Sequence, residues 1–167
     1  MLKKSYWLFG LSAGLLGAIV QHAYFHQHWY SVPKTKAFIL TLQFGILTIA
    51  IIAFAWTNYK QSLTRGKIIF NGLLIACIKS MFMLLTYSFI YFQSPEIIEE
   101  IKEDTLVQLK NLSEIKEEKF DKINAMKRLE INSRPANWGV AKLILHLFSG
   151  LFASIFVGLF FGKSNIK

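Results

Sequence analysis

Acidic side chains are scarce and oddly placed. All ten Asp and Glu lie between Glu96 and Glu130, while twelve Lys/Arg lie outside that window. Cysteine is nearly absent: with Cys77 alone, no intrachain disulfide can form and the redox compartment stays open. Cys77 falls in an apolar run, where a thiol behaves as a small hydrophobe. Charge is thin overall, 17% of residues against about 25% in an ordinary soluble domain. The chain also has no phosphate-cradling glycine loop, no nucleophile–base motif and no HExxH. These absences argue against an enzyme and against a bound cofactor. No Asp or Glu stands inside an apolar run to relay protons or sodium, and no inverted repeat marks a transporter core.

What is present is apolar sequence, 53% of residues. It falls into four runs: Ser5 to Phe25, Ala37 to Thr57, Ile68 to Phe92 and Gly139 to Phe161. Each is near or above the ~20 residues that a helix needs to cross hydrocarbon, and in lipid a backbone must satisfy itself. A soluble fold of this length could not bury four helices that are hydrophobic all round. Aromatic residues gather at the run ends, as the headgroup boundary favours: Tyr6 and Trp7, Trp29 and Tyr30, Trp56 and Tyr59, Tyr87, Tyr91 and Phe92, and Trp138. The sequence therefore predicts an all-α membrane protein of four transmembrane helices, one domain over 1–167, with an extramembrane helical insert at 94–137. The N-terminus reads as an uncleaved first span, because no clean small-x-small site follows Val20.

The net charge of +9 does not point to nucleic acid, since the cations outside the insert mostly flank the runs, where membrane topology places them. With the N-terminus inside, Lys3, Lys4, Lys60, Arg65, Lys67, Lys163 and Lys167 share one side, against Lys34 and Lys36 in the short opposite loop. That asymmetry predicts both termini in the cytoplasm, although the insert adds eight Lys/Arg to the outer side. Within the insert, Ser94-Pro95-Glu96 reads as a helix start, and Ile97, Ile101, Leu106, Leu109 and Leu112 form an imperfect stripe. Ser113 is placed to cap a second helix, ending near Asn132-Ser133 before Pro135. Pairs at Glu99–Lys102 and Glu118–Lys122 suit solvated helix faces. A charged hairpin, or one helix continuing from the third run and standing off the membrane, is expected.

Four membrane runs, the Tyr59-Lys60…Arg65-Gly66 turn, the Ser-Pro-Glu segment at 94–96, a charged helix pair and a Gly/Ser-rich last span form a pattern. In these features the chain resembles the uncharacterised membrane-protein family called domain of unknown function 4199, found in Gram-negative bacteria. It departs from that pattern at Gln93-Ser94-Pro95, where an Asn-Pro is expected. The resemblance implies this architecture and a bacterial inner-membrane location. It carries over no activity and no catalytic residues.

Among candidate residues Lys79 is the sharpest. It lies 11 to 13 residues from either end of the third run, ~17 to 20 Å along the helix, too far for its side chain to reach the headgroups. A central lysine costs about 2.5 to 3.5 kcal/mol on insertion scales, and no run holds a carboxylate for it. The amine is either neutral, or hydrated or bonded to carbonyls and Gln43, or matched by a partner helix or anionic ligand. Lys142 and His146, one turn apart, read as a headgroup anchor or a small anion site. His22, His26 and His28 cluster at the end of the first run, but lack a completing ligand nearby and read as an interface belt, with no metal. Small residues recur every fourth position: Gly10, Gly14 and Ala18; Gly150, Ser154, Gly158 and Gly162; and, more briefly, Gly72, Ala76 and Ser80. Such stripes allow close helix packing within a bundle, or in a homo-oligomer or with a partner helix. The role these features suggest is an accessory or scaffolding subunit of a membrane assembly, in contact with lipids and other membrane proteins. The alternative is a small transport or lipid-handling component using Lys79.

Overall fold

The computed structural model describes residues 5–28, 33–58, 63–115 and 120–163. Trp29, Tyr30, Tyr59, Lys3, Lys4, Lys60, Lys167 and Glu118 of the expected Glu118–Lys122 pair lie outside the described residues, as does the side chain of Lys34. Among the described residues the chain is all-helical, with six helices and no strand: α1 Ser5–His26, α2 Pro33–Thr57, α3 Arg65–Gln93, α4 Pro95–Ile115, α5 Lys122–Ser133 and α6 Pro135–Phe161. Helices α1, α2, α3 and α6 are long and apolar enough to cross a membrane. Their bounds follow the four hydropathic runs to within a few residues.

Local chemistry sets the breaks. Ser94 and Arg134 each precede a proline, whose ring crowds the preceding residue out of helical geometry. Their backbones are indeed non-helical, at φ −138°, ψ 63° and φ −61°, ψ 138°. A single residue therefore separates α3 from α4 and α5 from α6, so α4 does not continue α3. The Thr64 hydroxyl caps α3 by accepting from the Lys67 N–H at 3.4 Å. The cap of α5 is Asp121 rather than Ser113: the Asp121 carboxylate accepts from the Asn124 N–H at 3.0 Å. The Ser113 hydroxyl instead donates back to the Lys110 carbonyl at 2.7 Å, inside α4. A serine that bonds to its own preceding turn is a helix residue, not a cap.

Helix α3 packs against both α1 and α6, and α2 lies between α1 and α6 on the far side. Small residues let α3 approach its neighbours. A β-carbon on Gly10 would sit 2.7 Å from Ile78, one on Gly14 2.6 Å from Phe82, and one on Gly150 2.6 Å from the Ala76 Cβ. Gly72 faces Ser154, and a β-carbon on Gly158 would lie 3.7 Å from the Arg65 carbonyl oxygen. Ala18 lies further along α1, in a shallow groove with Leu85 and Phe89 of α3. Both long stripes are thus taken up by α3 of the same chain. At the basal end, the Lys163 N–H donates to the Leu63 carbonyl at 3.0 Å, tying the end of α6 to the start of α3.

The α4–α5 arm does not stand off the bundle. Ile97 and Ile98 are buried beside Phe25, Tyr87 and Ile90, which is what an amphipathic helix with one apolar face requires. His28, at the end of α1, meets Glu100 at 3.2 Å, and Lys36, at the start of α2, donates to Gln108 at 3.2 Å. Helix α4 therefore runs from α3 across the bundle's end towards α2. The Tyr87 hydroxyl donates to the Ser133 carbonyl at 2.8 Å, and its ring stacks on Trp138 at 3.9 Å, fixing the α5–α6 turn to α3. The Glu99–Lys102 pair forms at 2.6 Å on α4.

Candidate functional site

Two apolar cores fill the bundle. The basal one joins Leu47, Ile51, Phe54, Ile68, Ile75 and Val157, and the other lies under the arm around Phe25, Tyr87 and Ile90. Polar side chains stand among the buried residues of these four long helices as well: Gln21, Gln43, Lys79 and His146. Lys79 has no exposed surface at all. Its Nζ lies 3.2 Å from Nδ1 of His146. If the amine is an ammonium it can only donate, in which case Nδ1 accepts and the ring's proton sits on Nε2. Gln43 does not take up the lysine. Its Nε2 donates to the Gly17 carbonyl at 3.0 Å, and its buried Oε1 has no hydrogen-bond partner among the described residues. Gly17 makes this approach possible, since a β-carbon there would lie 3.0 Å from Gln43 Oε1 and 3.2 Å from Lys79 Cε.

His146 lines a cavity of about 680 Å³ bounded by α1, α2, α3 and α6 and covered by the arm. Lys36, Lys102 and Lys142 also line it, and among the described residues no Asp or Glu does. Two of these lysines are engaged: Lys102 with Glu99, and Lys36 with Gln108. Lys142 is placed 5.4 Å over the Trp138 ring and has no ion pair among the described residues. A cation held by an aromatic face and facing a largely apolar cavity is poised for an anion, because little water competes there. The other walls mix Tyr24, Ile39, Phe44 and Met83 with Thr105 and Ser133. Its size and mostly apolar lining with a few polar groups are those of a ligand pocket.

The structure thus joins Lys79, Lys142 and His146 around one cavity, though only the latter two line it. The missing link in sequence is the Lys79–His146 contact, across 67 residues. A polar residue inside each of two apolar runs, Lys79 mid-run and His146 nearer its run's outer end, is the signal that pairs them. Lys36, Lys102 and Gly17 carried no such signal. At the end of α1 the His22 and His26 rings pack 4.2 Å apart, while His28 turns to Glu100. No group of three or more His, Cys, Asp or Glu suited to a metal occurs among the described residues. No protein-family model matches the sequence, and no curated protein or solved structure is significantly similar to it. What the site can do follows from its own chemistry.

Proposed function

We propose that this is a four-span protein of a bacterial inner membrane, both termini cytoplasmic, that binds an anionic ligand in the pocket beneath its outward-facing arm. Its role would be that of a small transport or lipid-handling component. Apolar side chains facing outward support the membrane placement: Leu8 is 66% exposed, Ile49 67%, Phe89 59% and Phe152 68%. Polar groups face inward instead, the reverse of a soluble fold. Arg65, Lys67 and Lys163 at the basal end support a cytoplasmic assignment for that end.

The observation that carries the ligand reading is Lys142, which lines the pocket beside His146 and has no ion pair among the described residues. The apolar helices supply no carboxylate to this end of the bundle, so a bound anion is the missing partner for Lys142. Basal to Gln43 and Lys79 the bundle is closed by Leu47, Ile51, Ile68 and Ile75, each with no exposed surface. The pocket is consequently one-sided: ligand enters and leaves at the arm half. The test is lipid retention by the detergent-purified protein, measured by native mass spectrometry. Phosphatidylglycerol should be retained over phosphatidylcholine, and Lys142→Gln should reduce that preference about ten-fold or more, the effect of one charge pair at intermediate dielectric. Equal retention of the two lipids by the native protein would remove the support for an anion site.

A second reading, the accessory or scaffolding subunit, is favoured by the arm's tip. Leu112 is 52% exposed, Ile115 78% and Ile123 82%, all outside the four spans. Apolar residues left in water at such a position suit a partner protein. Ile115→Glu with Ile123→Glu should then abolish co-purification of native membrane partners without altering lipid retention.

A further inference from the structure

We infer that the pocket is entered sideways, through a gap between α2 and α6, by an anionic lipid whose phosphate meets Lys142 and whose hydrocarbon tail stays in the gap. This rests on the anion-binding reading above and adds the ligand's class and its route. In the basal half α2 and α6 are together: Leu47 would lie 3.8 Å from a β-carbon on Gly150, and Trp56 packs edge-on against Phe161 with centroids 6.1 Å apart. Towards the arm they part. Leu40 and Phe44 of α2 line the pocket yet are 49% and 43% exposed, and Leu145 of α6 lines it yet is 44% exposed. Side chains that belong both to the cavity wall and to the outer surface mark the lips of an opening. These lips are apolar and sit within two of the spans, so the opening faces hydrocarbon rather than water.

The aqueous approach is roofed instead. Helix α4 crosses it, held by the buried Ile97 and Ile98 and by the contacts of Glu100 and Gln108 with α1 and α2. The pocket's polarity also matches that of a lipid in the arm-side leaflet. Cationic Lys36, Lys102 and Lys142 lie towards the arm, where the headgroups are, while Phe44 lies a turn further from it along α2 than Leu40, where the tails run. A phosphate at Lys142 therefore leaves its tail beside Leu145 and Phe44. A soluble phosphate ester would share the phosphate contact but would gain nothing from the gap.

The experiment compares a lipid with its soluble headgroup. The protein and its Ser149→Trp, Leu40→Trp and Lys142→Gln variants are purified in detergent, and bound phosphatidylglycerol and phosphatidylcholine are counted by native mass spectrometry, with and without millimolar glycerol 3-phosphate. Ser149 lines the pocket and is only half-buried, so an indole there projects into the gap rather than into the closed core. The expected result is a loss of phosphatidylglycerol of at least five-fold in both Trp variants at unchanged melting temperature, with no displacement by glycerol 3-phosphate. Native-like retention in both Trp variants, or displacement by glycerol 3-phosphate, overturns the sideways route while a preference for the anionic lipid keeps the anion site. If the native protein shows no such preference and Lys142→Gln changes nothing, the anion site itself is refuted.

Discussion

Replacing Lys79 by methionine separates a residue kept for function from one kept for stability. The substitution preserves length and removes the amine. Burying a lysine at the middle of a span costs about 2.5 to 3.5 kcal/mol on insertion scales, and its hydrogen bond to a neutral partner returns only about 1 kcal/mol. Methionine removes the burial cost but leaves Nδ1 of His146, now 3.2 Å from Lys79 Nζ, without its donor, a loss of about 1 to 3 kcal/mol. The net runs from about 2.5 kcal/mol more stable to about 0.5 kcal/mol less stable. Lys79→Met with His146→Leu, which removes both polar groups, should be at least as stable as the native protein. Thermal unfolding in mild detergent reads the first quantity, and native mass spectrometry reads the second, retention of phosphatidylglycerol, which should fall in Lys79→Met. A variant destabilised by more than about 2 kcal/mol would refute this reasoning, and would mean that the amine holds the bundle together.

Two further substitutions test the packing. Gly150→Ala forces a methyl to 2.6 Å from the Ala76 Cβ, which cannot swing aside, so α3 and α6 must part; a loss of about 1 to 3 kcal/mol is expected. Gly45→Ala, with nothing within 4 Å of the new methyl, should stabilise by about 0.5 to 1 kcal/mol through the helix propensity of alanine; thermal unfolding that ranks the two in the opposite order contradicts the assigned interface. The arm should respond to acid through Asp121. Its bond from the backbone N–H of Asn124 holds the carboxyl below the usual carboxylate value. The cap's contribution is therefore fully present above that usual value and is lost as pH falls through the lowered one. The protection of the α5 amides, their exchange relative to the intrinsic rate at each pH, should stay constant from neutral pH to about 5 and fall only in stronger acid, with Asp121→Asn abolishing the change because an asparagine caps without titrating. Protection that falls equally in both proteins would place the acid-sensitive group elsewhere.

Much of the scaffold was legible in the sequence because hydropathy measures transfer into an apolar medium, and that quantity decides a span one helix at a time. The runs at 5–25, 37–57, 68–92 and 139–161 became α1, α2, α3 and α6 with only their ends extended. Ser94-Pro95 and Pro135 also marked true breaks, since proline acts on its immediate neighbour. The candidate site was legible only in pieces. Lys79 announced itself by its cost, and Lys142 and His146 by their spacing. Which way each faces depends on how α3 and α6 are rotated about their axes, and hydropathy carries no such information when a helix is apolar all round. How the arm seats on the bundle was not legible for a related reason. Its stripe of Ile97 and Ile101 promised an apolar face, but what that face covers, the ends of α1 and α2, is settled by tertiary contacts of His28 and Lys36. The loss of Ser113 as a cap followed from competition between two local hydrogen bonds.

The central claim is an anionic lipid held at Lys142 beneath the arm. A cryo-electron-microscopy map of the protein in nanodiscs of mixed phosphatidylglycerol and phosphatidylcholine tests it most directly. Phosphate density is expected within about 4 Å of the Lys142 amine, continuous with a tail between Leu40 and Leu145. A pocket holding only water, with ordered lipid confined to the outer surface, would contradict it.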